Sequence, residues 1–258
     1  CLVGSEIGIR DRLVHTGICD IVLPEVSALQ DTVDEHRRHK DVYEHTLTVL
    51  QQAMDLETGP DGAVPGPDLR LRLAALMHDI GKPATRRFMP DGTVTFHAHD
   101  YVGARMTAKR MRALHFDKQT IKDVSRLVEL HLRFHGYADS PWSDSAVRRY
   151  VTDAGPLLAR LGCLTRADVT TGNRRKAAML SHAYDDLERR IEALRQQEEL
   201  ASIRPELDGQ EIMAELGIKP GPEVGKAYKF LLDLRMERGP IGKELAREAL
   251  HSWWATQQ

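Results

Sequence analysis

A chain of 258 residues, 41% hydrophobic and 29% charged, is long enough for one large domain or two modest ones with a real core, and is composed unlike a disordered chain. A formal net charge of -2 carries no global nucleic-acid signature, and no apolar run approaches the roughly 20 residues that a bilayer span needs. Cys1, Cys19 and Cys163 are the only cysteines and share no paired spacing; this excludes a zinc ribbon, argues against a disulfide framework and makes a reducing cytoplasm the expected compartment.

The opening "CLVGSEIGIRDRL" carries charges where a signal peptide needs an apolar stretch, and a start on Cys1 rather than Met reads as the beginning of a fragment. Residues 1–40 read as a short helical lead-in with "VLPEV" as a turn. Strand signals are scarce and helical periodicity dominates from Asp41 onward, so the expected fold is all-α. The first full helix runs from Asp41 to Met54, followed by a Gly/Pro-rich loop over 57–67. Asp68 caps the next helix, which is expected to run to Ile80 and stop at Gly81. "RRFMPDGTVTF" (86–96) is the one hairpin candidate, with "PDG" as its turn. Helices follow near 98–114, 120–134, 144–152 and 156–170.

A long helix near 173–200 repeats Leu180, Tyr184, Leu187, Ile191 and Leu194 at four-three spacing, a stripe that suits either a coiled coil or packing on its own domain. Beyond "IRPELDG" (203–209), helices near 209–216, 222–236 and 241–255 form a small C-terminal helical module. "GPEVGK" (221–226) is not a phosphate loop: three residues separate its glycines and Ala227 follows the lysine. It reads as a helix start with Pro222 in the first turn, whose free N–H groups could touch RNA phosphate. The expected division is a lead-in at 1–40, a domain at 41–172, a connecting helix at 173–202 and a module at 203–258.

The chemistry lies in polar residues on apolar faces. His45 shares a face with Val42, Val49 and Ala53; His131 with Val124, Leu127 and Val128; His99 with Val102 and Met106. Asp168 completes a stripe of Leu157, Leu161 and Leu164, and His78–Asp79 end the apolar run "AALM". A single histidine so placed is ordinarily a core residue bonded to a carbonyl, whereas a buried carboxylate needs a cation or several donors. Together, imidazoles and carboxylates from five helices can satisfy one another through a shared divalent metal, for which iron, manganese, zinc or nickel suits better than calcium. Neighbours in a regular helix point about 100° apart, so His78 and Asp79 reach one site only where the helix ends, with Gly81 letting the chain turn. His36, His39 and His97 read as loop residues or as neighbours of the ligands.

The order His45, His78–Asp79, Asp168 resembles the metal motif of the HD superfamily of phosphohydrolases, and "HDIGK" resembles its central element. His99 and His131 resemble the longer pattern of members that hold two metals. The resemblance implies an HD-domain helical bundle, a divalent cation (Mg, Mn, Ni, Fe or Zn) that activates water against a phosphoryl group, and catalytic roles for Asp79 and Lys82. In that family the corresponding lysine pairs with substrate phosphate; read alone, Lys82 could equally offset a helix dipole.

"HRRHKDVYEHTLTVL" (36–50), "LAALMHDIGKPATRRF" (73–88), "FHAHDYVGARM" (96–106), "RADVTTGNRRKA" (166–177) and the run 204–235 resemble bacterial CCA-adding tRNA nucleotidyltransferases with an HD domain, the actinobacterial forms in particular, down to the terminal "HSWWA". Gly172 departs from the pattern, which there carries a bulkier, often basic residue. Nucleotide addition in that family uses a head with Gly-Gly, Arg-Asp and Asp-x-Asp elements; no Gly-Gly pair or Asp-x-Asp triplet occurs here. The resemblance therefore implies the C-terminal half of such an enzyme, acting on a phosphate ester (a phosphomonoester or a 2′,3′-cyclic phosphate) and on tRNA, without adding CCA itself. Arg105, Lys109 and Arg112, with Arg174, Arg175 and Lys176, are the candidate RNA contacts, although such basic runs are also ordinary solvated helix faces. The alternatives are a non-catalytic tRNA-binding module with a structural His/Asp site, and a stand-alone phosphohydrolase acting on a nucleotide.

Overall fold

The computed structural model describes residues 16–30, 32, 42–134, 136–137, 140, 142–197 and 203–257. Two short helices open it, α1 (Ile18–Val22) and α2 (Pro24–Ser27). Instead of the turn expected at "VLPEV", Pro24 opens α2: its fixed φ suits a first helical position, where its missing N–H leaves nothing unpaired. Residues 1–15, 31 and 33–40 of the expected lead-in, including His36 and His39, lie outside the described residues.

Among the described residues the fold is all-α with one short β-hairpin. Helix α3 (Val42–Asp55) precedes the loop, and α4 (Leu69–Met77) is capped by Asp68, whose side chain accepts the Leu71 N–H at 2.8 Å. Arg160 holds the outer oxygen of the same carboxylate at 2.7 Å. Helix α4 ends at Met77, earlier than expected, and a tight turn leads into the single-turn α5 (Lys82–Thr85). Strands β1 (Arg87–Phe88) and β2 (Val94–Thr95) pair antiparallel, Phe88 opposite Val94. Their "PDG" turn is held by Asp91 accepting the Thr93 N–H at 2.9 Å, and Gly92 takes a φ of 80° that side chains avoid.

Helices α6 (His99–Ala113) and α7 (Lys118–Leu130) pack along each other, and a 3₁₀ turn (His131–Phe134) extends α7. Helix α8 (Asp144–Ala154) is followed by a second 3₁₀ turn, then α9 (Leu158–Ala167) and the long α10 (Arg174–Gln197). Its stripe of Tyr184, Leu187, Ile191 and Leu194 is buried within the chain, so no second helix is needed to cover it. Helices α11 (Gly209–Leu216), α12 (Pro222–Arg238) and α13 (Lys243–Ala255) complete the chain; Pro222 opens α12, and Asp208 with Glu211 forms a capping box on α11. No helix among the described residues is long and apolar enough to cross a membrane.

The described residues fall into two compact units, one within Cys1–Ala138 and Pro156–Tyr184, the other within Asp139–Gly155 and Asp185–Gln258. In the first, α3 packs on α4, α4 on α7, and α9 on both α3 and α4 around Val49, Leu71, Met77, Leu127, Leu161 and Leu164, each at most 1% exposed. The second takes α8 from mid-chain and has its own core of Leu207, Ile212, Ala227, Leu231, Ala246 and Leu250, onto which Phe230 and Trp253 stack with ring centroids 5.0 Å apart.

Candidate metal centre

Helix ends deliver most of the polar side chains that the sequence singled out. His45 stands in the first turns of α3; His78 and His131 follow the last residues of α4 and α7; His99 opens α6 and Asp168 follows α9. After His78 the backbone tightens, with i−3 bonds from Ile80 N–H to the Met77 carbonyl (3.3 Å) and from Lys82 N–H to the Asp79 carbonyl (2.9 Å). A narrower turn rotates successive side chains differently from an α-helix, and both His78 and Asp79 face inward, at 1% exposure each.

Gly81 has a different cause from the one expected. Its φ of −78° is ordinary, so no special turn is required of it. A Cβ at this position would lie 2.1 Å from the His99 carbonyl oxygen and 2.7 Å from the Gly103 nitrogen. The glycine lets the His–Asp turn press backbone to backbone against α6, which brings His99 into the same site. Ala98, just before it, holds the left-handed conformation (φ 62°), a strained choice for a residue with a Cβ that aims His99 inward.

The imidazole orientations follow a rule. His78, His99 and His131 each present Nδ1 to the carbonyl three residues earlier: Ala75 at 2.8 Å, Phe96 at 2.8 Å and Val128 at 2.6 Å. A carbonyl can only accept, so Nδ1 carries the proton in all three, and in the neutral ring Nε2 keeps its lone pair. His45 differs, its Nδ1 lying 3.0 Å from the Thr170 hydroxyl. The Nε2 atoms meet inside: His45 to His78 at 3.2 Å, and both near the carboxylates, with His45 to Asp168 at 3.1 Å, His78 to Asp79 at 3.2 Å and His99 to Asp79 at 3.3 Å. Adjacent rings stand 5.3 Å apart from His45 to His78, His78 to His131 and His131 to His99.

Two triads have donors close enough to share an ion, His45–His78–Asp79 and Asp79–His99–His131, with Asp79 common to both. The fit to a divalent cation rests on donor chemistry: the His45 and His78 Nε2 atoms, 3.2 Å apart, need a proton or a cation between them, and neutral imidazole with carboxylate suits a transition ion. Asp79 Oδ2 adds to this, being buried without a well-formed hydrogen bond. The Lys82 ammonium lies 2.9 Å from it as an ion pair. At the first residue of α5, Lys82 sits where a helix dipole disfavours a cation, so its partner is the carboxylate.

Charge in the cluster is strongly coupled. Burial lowers the His78 pKa, but Asp79 and Asp168 outweigh it and raise it to about 10. Burial also lowers that of His131, with the His78 charge adding to the effect, to about 4. Burial would raise both carboxylates, yet His78 and Lys82 hold Asp79, and His45 and His78 hold Asp168, well below the usual range. The site has a closed side and an open one: His78, Asp79 and His131 are buried to about 1%, whereas the side chains of His45, Asp168 and Lys82 are 21%, 15% and 13% exposed.

All six residues proposed as ligands, and Lys82, therefore converge. The candidate RNA contacts do not join them: Arg105, Lys109 and Arg112 lie exposed along α6, and Arg174, Arg175 and Lys176 are exposed at the start of α10. His97 is exposed too, and Gly172 has open space where a side chain would stand. Sequence reasoning missed Thr170, Ala98 and Gly103, although Ala98 directly precedes His99 and Thr170 stands two places after Asp168.

Residues 42–173 match the HD domain family. The chain is 34% identical over 244 residues to an A-adding tRNA nucleotidyltransferase of Deinococcus radiodurans, covering 93% of the chain and 53% of that relative. It is 35% identical over 253 residues to a CC-adding tRNA nucleotidyltransferase of Thermus thermophilus, covering 96% and 53%. A multifunctional CCA protein of Neisseria gonorrhoeae is 30% identical over 127 residues, 48% of the chain and 28% of the relative. The chain thus spans about half the length of the two curated relatives that it matches along most of its own.

Proposed function

The chain belongs to the HD domain family, and on that premise we propose that it is the part of a tRNA 3′-end-processing enzyme that binds tRNA and hydrolyses a phosphate ester with a divalent cation. The observation that carries this reading is the convergence of imidazole Nε2 atoms on two carboxylates, three of the rings locked by backbone carbonyls into the tautomer that leaves Nε2 free. The A-adding and CC-adding tRNA nucleotidyltransferases to which the chain is similar supply the tRNA context.

In this reading His45, His78, Asp79 and Asp168 hold the cation, with His99 and His131 extending the set through Asp79. The ion is Mg, Mn, Ni, Fe or Zn; when bound it lowers the pKa of water and offsets charge on phosphate oxygens. The residues divide the remaining work. Asp79, kept ionised by His78 and Lys82, is the fixed negative charge of the site. Lys82, at the open edge, is placed to reach from Asp79 to a phosphate oxygen. Buried His78 and His131 exclude solvent from the inner side, while the His45–Asp168 edge admits the substrate, a phosphomonoester or 2′,3′-cyclic phosphate. The exposed cations of α6 and the start of α10 suit an RNA backbone. Nucleotide addition is assigned to none of these residues.

Metal analysis of purified protein, with hydrolysis of bis(p-nitrophenyl) phosphate, tests the proposal. Wild type is expected to carry a transition ion and turn the diester over, and His78→Ala and Asp79→Asn to lose both. Unchanged metal content in those variants would sink it. One observation favours a second reading, a cation-free tRNA-binding scaffold: Lys82 and a protonated His78 already balance Asp79 and Asp168. Salt-dependent tRNA binding without any metal-dependent hydrolysis is its signature.

A further inference from the structure

The hairpin beside the centre carries side chains that the fold does not use. Phe88 is 74% exposed and Met89 44%, and every residue from Arg86 to Thr93 is open to solvent. Strands of two residues are too short to be stable alone, so the hairpin owes its place to its anchors. Both anchors belong to the metal centre. On the leading side Lys82 pairs with Asp79 at 2.9 Å and lies 5.6 Å over the Phe96 ring; on the returning side Phe96 follows β2 and its carbonyl takes the His99 Nδ1–H. The Arg86 guanidinium stands 5.5 Å from the centre of the Phe88 ring. From Lys82 to Pro90 the segment carries Lys82, Arg86 and Arg87 and no carboxylate, and the first acid, Asp91, is folded into the turn by the Thr93 N–H and hydroxyl.

An unburied aromatic ring on a segment whose own charges are cationic as far as Asp91 complements a flat and anionic partner. We propose that the Arg86–Met89 arm is a stacking platform for a base of a single-stranded RNA end whose phosphate lies at the metal centre. This rests on reading that centre as a phosphate-ester site, and it narrows the substrate from any phosphate ester to one carried by an unpaired nucleotide. Aromatic faces accept bases of any sequence once these are unstacked, which a duplex prevents. Scale agrees: with a rise of about 3.3 Å per strand residue and about 5 Å between strands, Phe88 stands on the order of 10 Å from Phe96. An unpaired strand of a few nucleotides spans that distance.

The test is fluorescence anisotropy with a fluorescein-labelled single-stranded RNA and a blunt duplex of the same sequence, on full-length wild type and on Phe88→Ala, Phe88→Trp and Arg86→Glu/Arg87→Glu. Phe88→Ala is expected to weaken single-strand binding by about tenfold or more, the loss of one base–aromatic stack, and to leave duplex binding unchanged. Phe88→Trp is expected to keep the affinity and to add indole fluorescence that the single strand quenches. Retained metal content in each variant shows that the fold is intact. Single-strand affinity unchanged in Phe88→Ala overturns the proposal, whatever the arginine pair does. Equal weakening toward single strand and duplex overturns it as well. Diester hydrolysis by wild type probes the metal centre separately, so failure of that reading is distinguishable from failure of the platform.

Discussion

Two buried clusters of this chain are built on opposite physics. In the second unit Leu207, Ile212, Ala227, Leu231, Ala246 and Leu250 are each at most 1% exposed and hold together by removing apolar surface from water, which any complementary set of methyl groups does. In the first unit His78, Asp79 and His131 are as deeply buried, yet burial there is unfavourable for every group until a proton or cation is shared. One cluster is therefore indifferent to solution conditions, and the other is conditional on pH and ions. The contrast teaches that depth of burial says little about what holds a side chain in place.

Truncating the apolar cluster is the largest single effect that separates the two. Leu231→Ala is expected to destabilise the second unit by about 3 kcal/mol in denaturant unfolding while metal content stays at the wild-type level. A loss of metal in that variant would break the separation.

Next in size is pH. In the cation-free protein His78 has its pKa raised to about 10, so the stability of its protonated form is fully present below about 6.5 and is lost as pH rises through 10. A cation must displace that proton, so its apparent affinity is expected to rise about tenfold per pH unit, or about a hundredfold from pH 6 to 8. His131, at about 4, is neutral throughout and adds no slope. Competition titrations with a chelator at fixed free metal check this, and a flat profile would remove His78 from the ligand set. The apolar cluster is expected to show no matching dependence.

Gly81→Ala follows. A backbone oxygen 2.1 Å from the new Cβ forces the His–Asp turn away from α6, at a cost of about 2 kcal/mol, with metal lost from the His99 side of the site. The smallest effect probes the one ring not held by a carbonyl. Thr170→Val is expected to weaken metal binding by about tenfold through a loosened His45, with Thr170→Ser restoring it. Equal loss in Val and Ser would mean that Thr170 packs rather than positions.

Much of this was legible in the chain, and the limits have physical reasons. The Asp68 cap, the "PDG" turn, the burial of His99 and His131 and the half-buried placing of His45 and Asp168 follow from local chemistry and periodicity, which a single sequence displays. The need for glycine at 81 is not local: it comes from a backbone 18 residues away in sequence, at His99, and no pattern around "HDIGK" contains it. The Thr170 contact to His45 joins residues 125 apart for the same reason. "VLPEV" misleads because proline marks turns and helix starts alike, and only the residues after it decide. Helix α4 ended three residues early because His78 to Gly81 belong to a tighter turn whose purpose is the site.

Asp79 is the hinge of one last consequence. Its Oδ2 faces His45 and His78 and its Oδ1 faces His99, so a single carboxylate is a member of both triads. Two ions filling them would not do so independently. The first draws on the negative charge that the second requires, and the expected isotherm is biphasic, with a tight step followed by a weaker one. The chain would then sense ion concentration in two ranges with one side chain.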